Sequence, residues 1–242
     1  MPSPSLPPAG ANLPALILAA GRGERMRPLT DHTPKPLLPV RGKPLIEWHL
    51  QALARDGVRE VVINTAWLEE QFPAALGDGS RWGLRIRYSM EGRDHGGALE
   101  TAGGLATALP LLQDGGAQAF WLVSGDIYMP GWRFDTERAQ RFQASGDLAH
   151  FVFVPNPLFH PRGDFGLTGL GRVVADAPER WTYANVGLVR AELVEGLPAG
   201  QRMALRPFMD RAIAAGRVGG EVWRGEWENV GTPEQLRALE RE

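Results

Sequence analysis

Apolar residues first gather at Ala15–Ala20, a run of six with no polar member, which has the length and character of a strand buried on both faces. The period then lengthens. Leu45, Trp48, His49, Ala52 and Leu53 recur at helical spacing, and Gly57 follows as a stop. Val61–Asn64 predicts a second strand and Trp67–Leu76 a helix closed by the turn Gly77-Asp78-Gly79. The alternating Leu84–Ser89 predicts a third strand with one wet face. Glu91–Gly97 is polar and glycine-rich and reads as a loop; the helix after it starts near Ala98 and runs to Leu112. Ala119–Ser124 has the pattern of a central strand.

Past residue 130 the pattern gives a strand at Leu148–Val154, a hairpin from Phe165–Thr168 and Gly171–Val174, and a strand at Thr182–Val189. A helix at Leu205–Ala215 and a short strand at Val222–Arg224 follow. The last helix opens with a capping box, Thr232 as cap, Pro233 in the first helical position and Gln235 in the third. Strands and helices alternate along the whole chain, which favours an α/β domain of three layers, α/β/α, over segregated domains.

Composition narrows the class. A chain of 242 residues with 43% hydrophobic content can bury a full core. The net charge of -2 gives no reason to expect nucleic acid as a partner, and no apolar run approaches the ~20 residues that cross a bilayer. No protein partner is implied either. Cysteine is absent, which excludes disulfides and thiolate chemistry and fits a reducing, cytoplasmic setting. Residues 1–14 hold five prolines and no basic residue, and are expected to be a mobile tail before a single domain at 15–242. His49 lies on an apolar stripe and is expected to be packed rather than catalytic.

The chemistry gathers directly after the first strand. Gly21 and Gly23 let the backbone approach a ligand closely, and successive N–H groups can form an anion-binding concavity. Arg22, Arg25, Arg27 and Lys35 add full positive charge, so the loop is a candidate phosphate site. It is not a Walker A loop, because Gly42-Lys43-Pro44 lacks both the Ser/Thr and the preceding strand. A dinucleotide fingerprint needs glycine or alanine where Met26 stands, which leaves dinucleotide binding as the runner-up. Gly125-Asp126 follows the central strand, and a ligand in an open α/β sheet sits beyond the strands' carboxyl ends. A carboxylate facing a phosphate loop needs a cation between them, and Mg²⁺ fits; from the residues alone, a cap or turn aspartate remains the other reading. Thr101–Gly104 is small enough either to touch a ligand or to pack tightly against the sheet.

Leu18-Ala-Ala-Gly-x-Gly-x-Arg-Met-x-Pro-Leu-Thr30, with Pro34-Lys35-Pro36-Leu37 and the later Gly125-Asp126, resembles the signature of sugar-1-phosphate nucleotidyltransferases. The likeness extends to Arg162-Gly-Asp164-Phe165 and Val230-Gly-Thr232, and is strongest toward the uridylyltransferases that activate N-acetylmuramate 1-phosphate in cell-wall recycling. It implies a nucleotide-diphospho-sugar transferase fold, Rossmann-like, with a mostly parallel mixed sheet. Residues 15–130 would bind the nucleotide and 131–242 the sugar. The reaction implied is UTP plus a sugar 1-phosphate giving UDP-sugar and pyrophosphate, with Mg²⁺. Guanylyl transfer to mannose 1-phosphate, thymidylyl or uridylyl transfer to glucose 1-phosphate, and a nucleotide-sugar-binding protein with weakened turnover are the alternatives.

By the resemblance, Arg25, Lys35 and Asp126 are catalytic, and Gly21, Gly23, Glu24, Gly103 and Ser124 join Arg25 and Lys35 at the nucleotide. Asp164 and Asn185 are the candidates for sugar contact. The metal would lie between Asp126 and Asn229. Here the chain departs from the family, which carries Asp where Asn229 stands and usually Asn where Ser124 stands. An amide oxygen can coordinate a hard cation but brings no charge. Glu228 is a poor substitute, because strand neighbours point to opposite faces. Relatives have Lys-Leu-Ala-Pro where this chain has Ala204-Leu205-Arg206-Pro207, and Arg202 or Arg206 is expected to compensate.

Overall fold

The computed structural model describes residues 12–240. Seven strands form one mixed sheet: β1 (Ala15–Leu18), β2 (Glu60–Thr65), β3 (Arg85–Met90), β4 (Ala119–Ser124), β5 (Ala149–Val154), β6 (Thr182–Arg190) and β7 (Val218–Val222). Their spatial order is β7-β5-β6-β4-β1-β2-β3. The pairs β4–β1, β1–β2, β2–β3 and β7–β5 are parallel; β6 runs antiparallel to both neighbours. The helices are α1 (Leu45–Arg55), α2 (Gln71–Leu76), α3 (Glu91–His95), α4 (Glu100–Leu112), α5 (Thr136–Ala144), α6 (Arg206–Ala214) and α7 (Pro233–Leu239).

Period-two alternation sorts the strand residues onto two faces, and each face meets its own helices. Ala15, Ile17, Trp121 and Val123 enter a core with Ile46, Leu50 and Leu53 of α1, Phe72 of α2 and Phe142 of α5. Leu16, Phe120 and Leu122 enter the opposite core with Leu105 and Leu112 of α4 and Met209 and Ile213 of α6. This is the three-layer arrangement expected from the pattern. A smaller third core joins Met26, Leu38 and Leu45 to Val230, Leu236 and Leu239, so α7 packs beneath the loop that follows β1.

Several boundaries moved for local reasons. Residues 67–70 form a turn with Leu68 left-handed (φ 48°), which leaves only Gln71–Leu76 helical. Glu91–Gly97 is not simply a loop, since Glu91–His95 form a short helix whose Glu91 is fully buried. The strand expected at Val222–Arg224 lies instead at Val218–Val222. Its Gly219 and Gly220 suggest a turn in the sequence, but they lie flat on β5, where a Cβ at Gly220 would come within 2.7 Å of the Phe153 ring. Helix α5, capped by Asp135 accepting from the Glu137 N–H, had no sequence counterpart.

Residues 1–11 of the expected tail lie outside the described residues. Asn12–Pro14 are tied in: the Asn12 amide donates to the carbonyls of Asp56 and Phe134, and Leu13 is buried.

His49 is packed as expected. Its ring Nε2–H donates to the Ile127 carbonyl at 2.8 Å. Burial pushes its pKa down to about 4. Between the unfolded value of 6.5 and 4 the unfolded chain binds the extra proton, so stability from this group is full above 6.5 and lost as pH falls toward 4. The loss should amount to about 3 kcal/mol. Chemical denaturation across pH 4–7 should show this fall, and His49→Gln should flatten it.

Candidate active site

Strands β4, β1 and β2 are parallel neighbours in register, with Ser124, Leu18 and Asn64 side by side at their carboxyl ends. That registration brings the Gly21–Arg25 loop, the Gly125-Asp126 turn and Asn64 to one edge of the sheet, where an open α/β sheet places its ligand. The Gly125 N–H donates to the Leu18 carbonyl at 2.8 Å, and a Cβ at Gly125 would sit 3.1 Å from that same oxygen. Asn64 accepts from the Ala19 N–H through Oδ1 and donates to Glu91 through Nδ2, at 2.8 and 2.7 Å. Glu91 also accepts from the Leu99 N–H. Desolvation raises its pKa, which these hydrogen bonds oppose. This network links the loop after β1 to the start of α4. The Glu91 role was missed because its polar, glycine-rich surroundings carry the signal of a loop.

The loop itself needs glycine at Gly23, which is left-handed (φ 68°) and whose Cβ would meet Thr30 Cγ2 at 3.0 Å. The Thr30 hydroxyl donates to the Gly23 carbonyl and fixes the turn. Arg22 stacks over Trp67 at 4.3 Å from the ring centre. Arg25 is exposed, borders Gly231 and has no acidic partner among the described residues. Arg22, Gly23, Glu24, Arg25 and Lys35 line one cavity over the loop. Lys35 also lines a second cavity, of ≈ 300 Å³, with Gly21, Asn64, Thr101, Ser124 and Asp126. Between the two, Lys35 Nζ lies 2.5 Å from Asp126 Oδ2, with side chains 12% and 28% exposed.

Asn229 reaches Asp126 through a two-residue antiparallel ladder. It pairs with Ile127, and the next N–H, of Val230, donates to the Asp126 carbonyl at 2.9 Å. The Asn229 side-chain oxygen Oδ1 is buried and has no hydrogen-bond partner among the described residues. Glu228 is turned the other way and accepts from the Gln235 amide, as strand alternation requires. Gln235 in turn accepts from the Gly231 N–H, one residue before the cap position the sequence suggested.

Asn229 opens onto a third cavity, of ≈ 340 Å³, shared with Asp164, Asn185, His160, Arg206 and Trp227. Asn185 is left-handed (φ 59°) and marks the irregularity where the β5–β6 register shifts. Asp164 borders the cavity but is already engaged, accepting from the Tyr183 N–H at 2.8 Å and facing His160 Nε2 at 3.1 Å. Of the nucleotide candidates from the sequence, Gly103 lines neither cavity beside Lys35. It is buried, and a Cβ there would lie 2.4 Å from the Gln201 carbonyl, so its smallness serves packing. Ala98, Glu100 and Thr101 face the cavity in its place. Arg202 lies on the strand-end cavity and pairs with Glu100 at 3.1 Å, whereas Arg206 lies on the Asn229 side. Of the further lining residues, His160 and Trp227 carried no sequence signal beyond their residue types.

The chain is 46% identical over 230 residues to an N-acetylmuramate alpha-1-phosphate uridylyltransferase from Neisseria meningitidis, covering 92% of this chain and 95% of that one. It is 32% identical over 238 residues to a protein of the same description from Caulobacter vibrioides, covering 93% and 95%. A Bacillus anthracis structure described as a glucose-1-phosphate thymidylyltransferase superposes with a TM-score of 0.74 at 20% identity, over 95% of this chain and 94% of that one, which speaks to the fold. The sequence model described as Nucleotidyl transferase matches residues 14–168, and with the relatives above it establishes that this chain belongs to the nucleotidyl transferase family.

Proposed function

We propose that the chain transfers the uridylyl group of UTP to N-acetylmuramate 1-phosphate, giving the UDP-sugar and pyrophosphate, in the cytoplasm. The observation that carries this is the junction itself. Lys35 and Asp126 pair on the strand-end cavity, and the Ile127–Asn229 ladder ties that pair's turn to Asn229, which lines the cavity on the second half of the chain. In this reading residues 15–130 hold the nucleotide and 131–242 the sugar, with Asn229 returning to the boundary. The identity of the base and the sugar follows the relatives, because the cavity beside Thr101 offers few side chains that would distinguish bases.

The acceptor phosphate is already ionised at neutral pH, so its attack on the α-phosphorus of UTP needs no general base. What it does need is compensation for two anions brought together. Preorganised cations and N–H groups provide this without reorganising during the reaction. Arg25 and the loop N–H groups hold the triphosphate, where charge grows on the leaving pyrophosphate. Lys35 sits nearest the reacting centre. The donor set also suits Mg²⁺: a carboxylate at Asp126 and a buried, unpaired amide oxygen at Asn229 are hard oxygen ligands. Among the described residues no group of three or more His, Cys, Asp or Glu side chains converges, so phosphate oxygens and water would complete the shell. When bound, the ion would neutralise and orient the α-phosphate.

A second reading, a nucleotide-sugar-binding protein with weakened turnover, draws on Asn229 and Ser124. Pyrophosphate release measured over a matrix of four NTPs and several sugar 1-phosphates should peak at UTP with N-acetylmuramate 1-phosphate. Tight UDP-sugar binding with no release from any pair would favour the binding protein instead. Lys35→Ala and Asp126→Ala should each lower kcat by about 10²-fold or more. Near-normal turnover in Asp126→Ala would remove that residue from the reaction. Asn229→Asp should lower the Mg²⁺ concentration for half-maximal activity, and an unchanged value would sink the assignment of Asn229 as a ligand.

A further inference from the structure

The cavity on the second half of the chain contains a cation that the transfer reaction does not use. Arg206 opens α6, and Met209 lies three residues on, so both present the same helical face to the cavity. The Arg206 guanidinium lies over the Phe165 ring at 4.6 Å, and its Nε is 2.7 Å from Asp210 Oδ1. Phe165 therefore holds one face of the group and Asp210 one edge. The guanidinium is ion-paired with Asp210 through Nε, and neither terminal nitrogen donates a hydrogen bond among the described residues. Among the described residues lining this cavity, Arg206 is the one permanent cation, since Asp164 is acidic and engaged and His160 faces it.

In the functional reading above, the acceptor's phosphate goes to the Lys35–Asp126 pair and its ring to the cavity bordered by Asp164 and Asn229. A second fixed cation beside the ring is of no use to a neutral hexose. It suits a sugar with a second anionic group, and the two free nitrogens form the planar fork that accepts a carboxylate in two parallel hydrogen bonds. We infer that Arg206 is a specificity-determining residue that grips the carboxylate of the acceptor's lactyl ether, the group that distinguishes N-acetylmuramate from N-acetylglucosamine. The inference rests on the functional reading above.

The experiment compares two acceptors that differ only in the lactyl ether, N-acetylmuramate 1-phosphate and N-acetylglucosamine 1-phosphate, with UTP as donor. For each, kcat/KM is read from pyrophosphate release and Kd from calorimetry, in the wild type, Arg206→Ala and Arg206→Lys. Arg206 is exposed, so the variants should fold, and thermal melting checks this. Arg206→Ala should lose about 10- to 100-fold in kcat/KM for the muramate substrate, mainly through KM, with less than about a twofold change for the glucosamine one. Arg206→Lys should recover part of the loss, because it restores charge without the fork. Equal losses on both acceptors would mean that Arg206 serves a group common to them, and would overturn the inference, as would no loss on either. A wild type that turns over neutral sugar 1-phosphates and rejects N-acetylmuramate 1-phosphate would overturn the functional reading itself.

Discussion

A lysine ammonium held against a single aspartate carboxylate, at the mouth of three parallel strands, sets the terms for everything around it. Asp126 is only partly exposed, and a lone carboxylate there would be costly without a nearby positive charge. Lys35 cancels that charge without removing the carboxylate, which on the proposed function stays available to a cation when phosphates arrive. The contact exists because β1 and β4 are adjacent, parallel and in register, so that Leu18 and Ser124 end together. A one-residue slip between these strands would turn every buried side chain to the wrong face, and with two cores on opposite sides the register has little freedom.

The same constraint explains how the second half of the chain takes part in a site built by the first. The antiparallel strand β6 inserts between β4 and β5 and carries Asn185 on its irregular stretch. The short ladder at Ile127 and Asn229 then brings residues a hundred positions apart into one hydrogen-bonded unit. His49 supports that unit from below through the Ile127 carbonyl. The residue read as simple packing is thus one hydrogen bond from Ile127, which follows Asp126 and pairs with Asn229.

The architecture was legible because each strand and long helix announces itself by period, and the alternation of the two kinds leaves few layer arrangements. The glycine loop was legible for a different reason: Gly23 must be left-handed, and a glycine after a buried strand announces such a turn. Legibility failed where backbone geometry overruled side-chain pattern. Leu68 adopts a left-handed conformation that periodicity does not disclose, and Gly219-Gly220 form a strand because a bulky ring lies against them. Gly103 was ambiguous in the same way, since smallness permits contact with a ligand or with a neighbouring carbonyl, and only the fold shows Gln201 standing there. Glu91 was lost entirely: a buried carboxylate in a polar stretch has no sequence signature apart from its partners, Asn64 and the Leu99 N–H, which are distant or backbone.

The final helix reaches the loop over β1 from underneath. Leu236 and Leu239 share a core with Met26, and Gly231 borders Arg25. The last described helix and the turn after the first strand are therefore mechanically joined. A displacement of that helix would be felt at the turn through a handful of aliphatic contacts, without passing through the sheet.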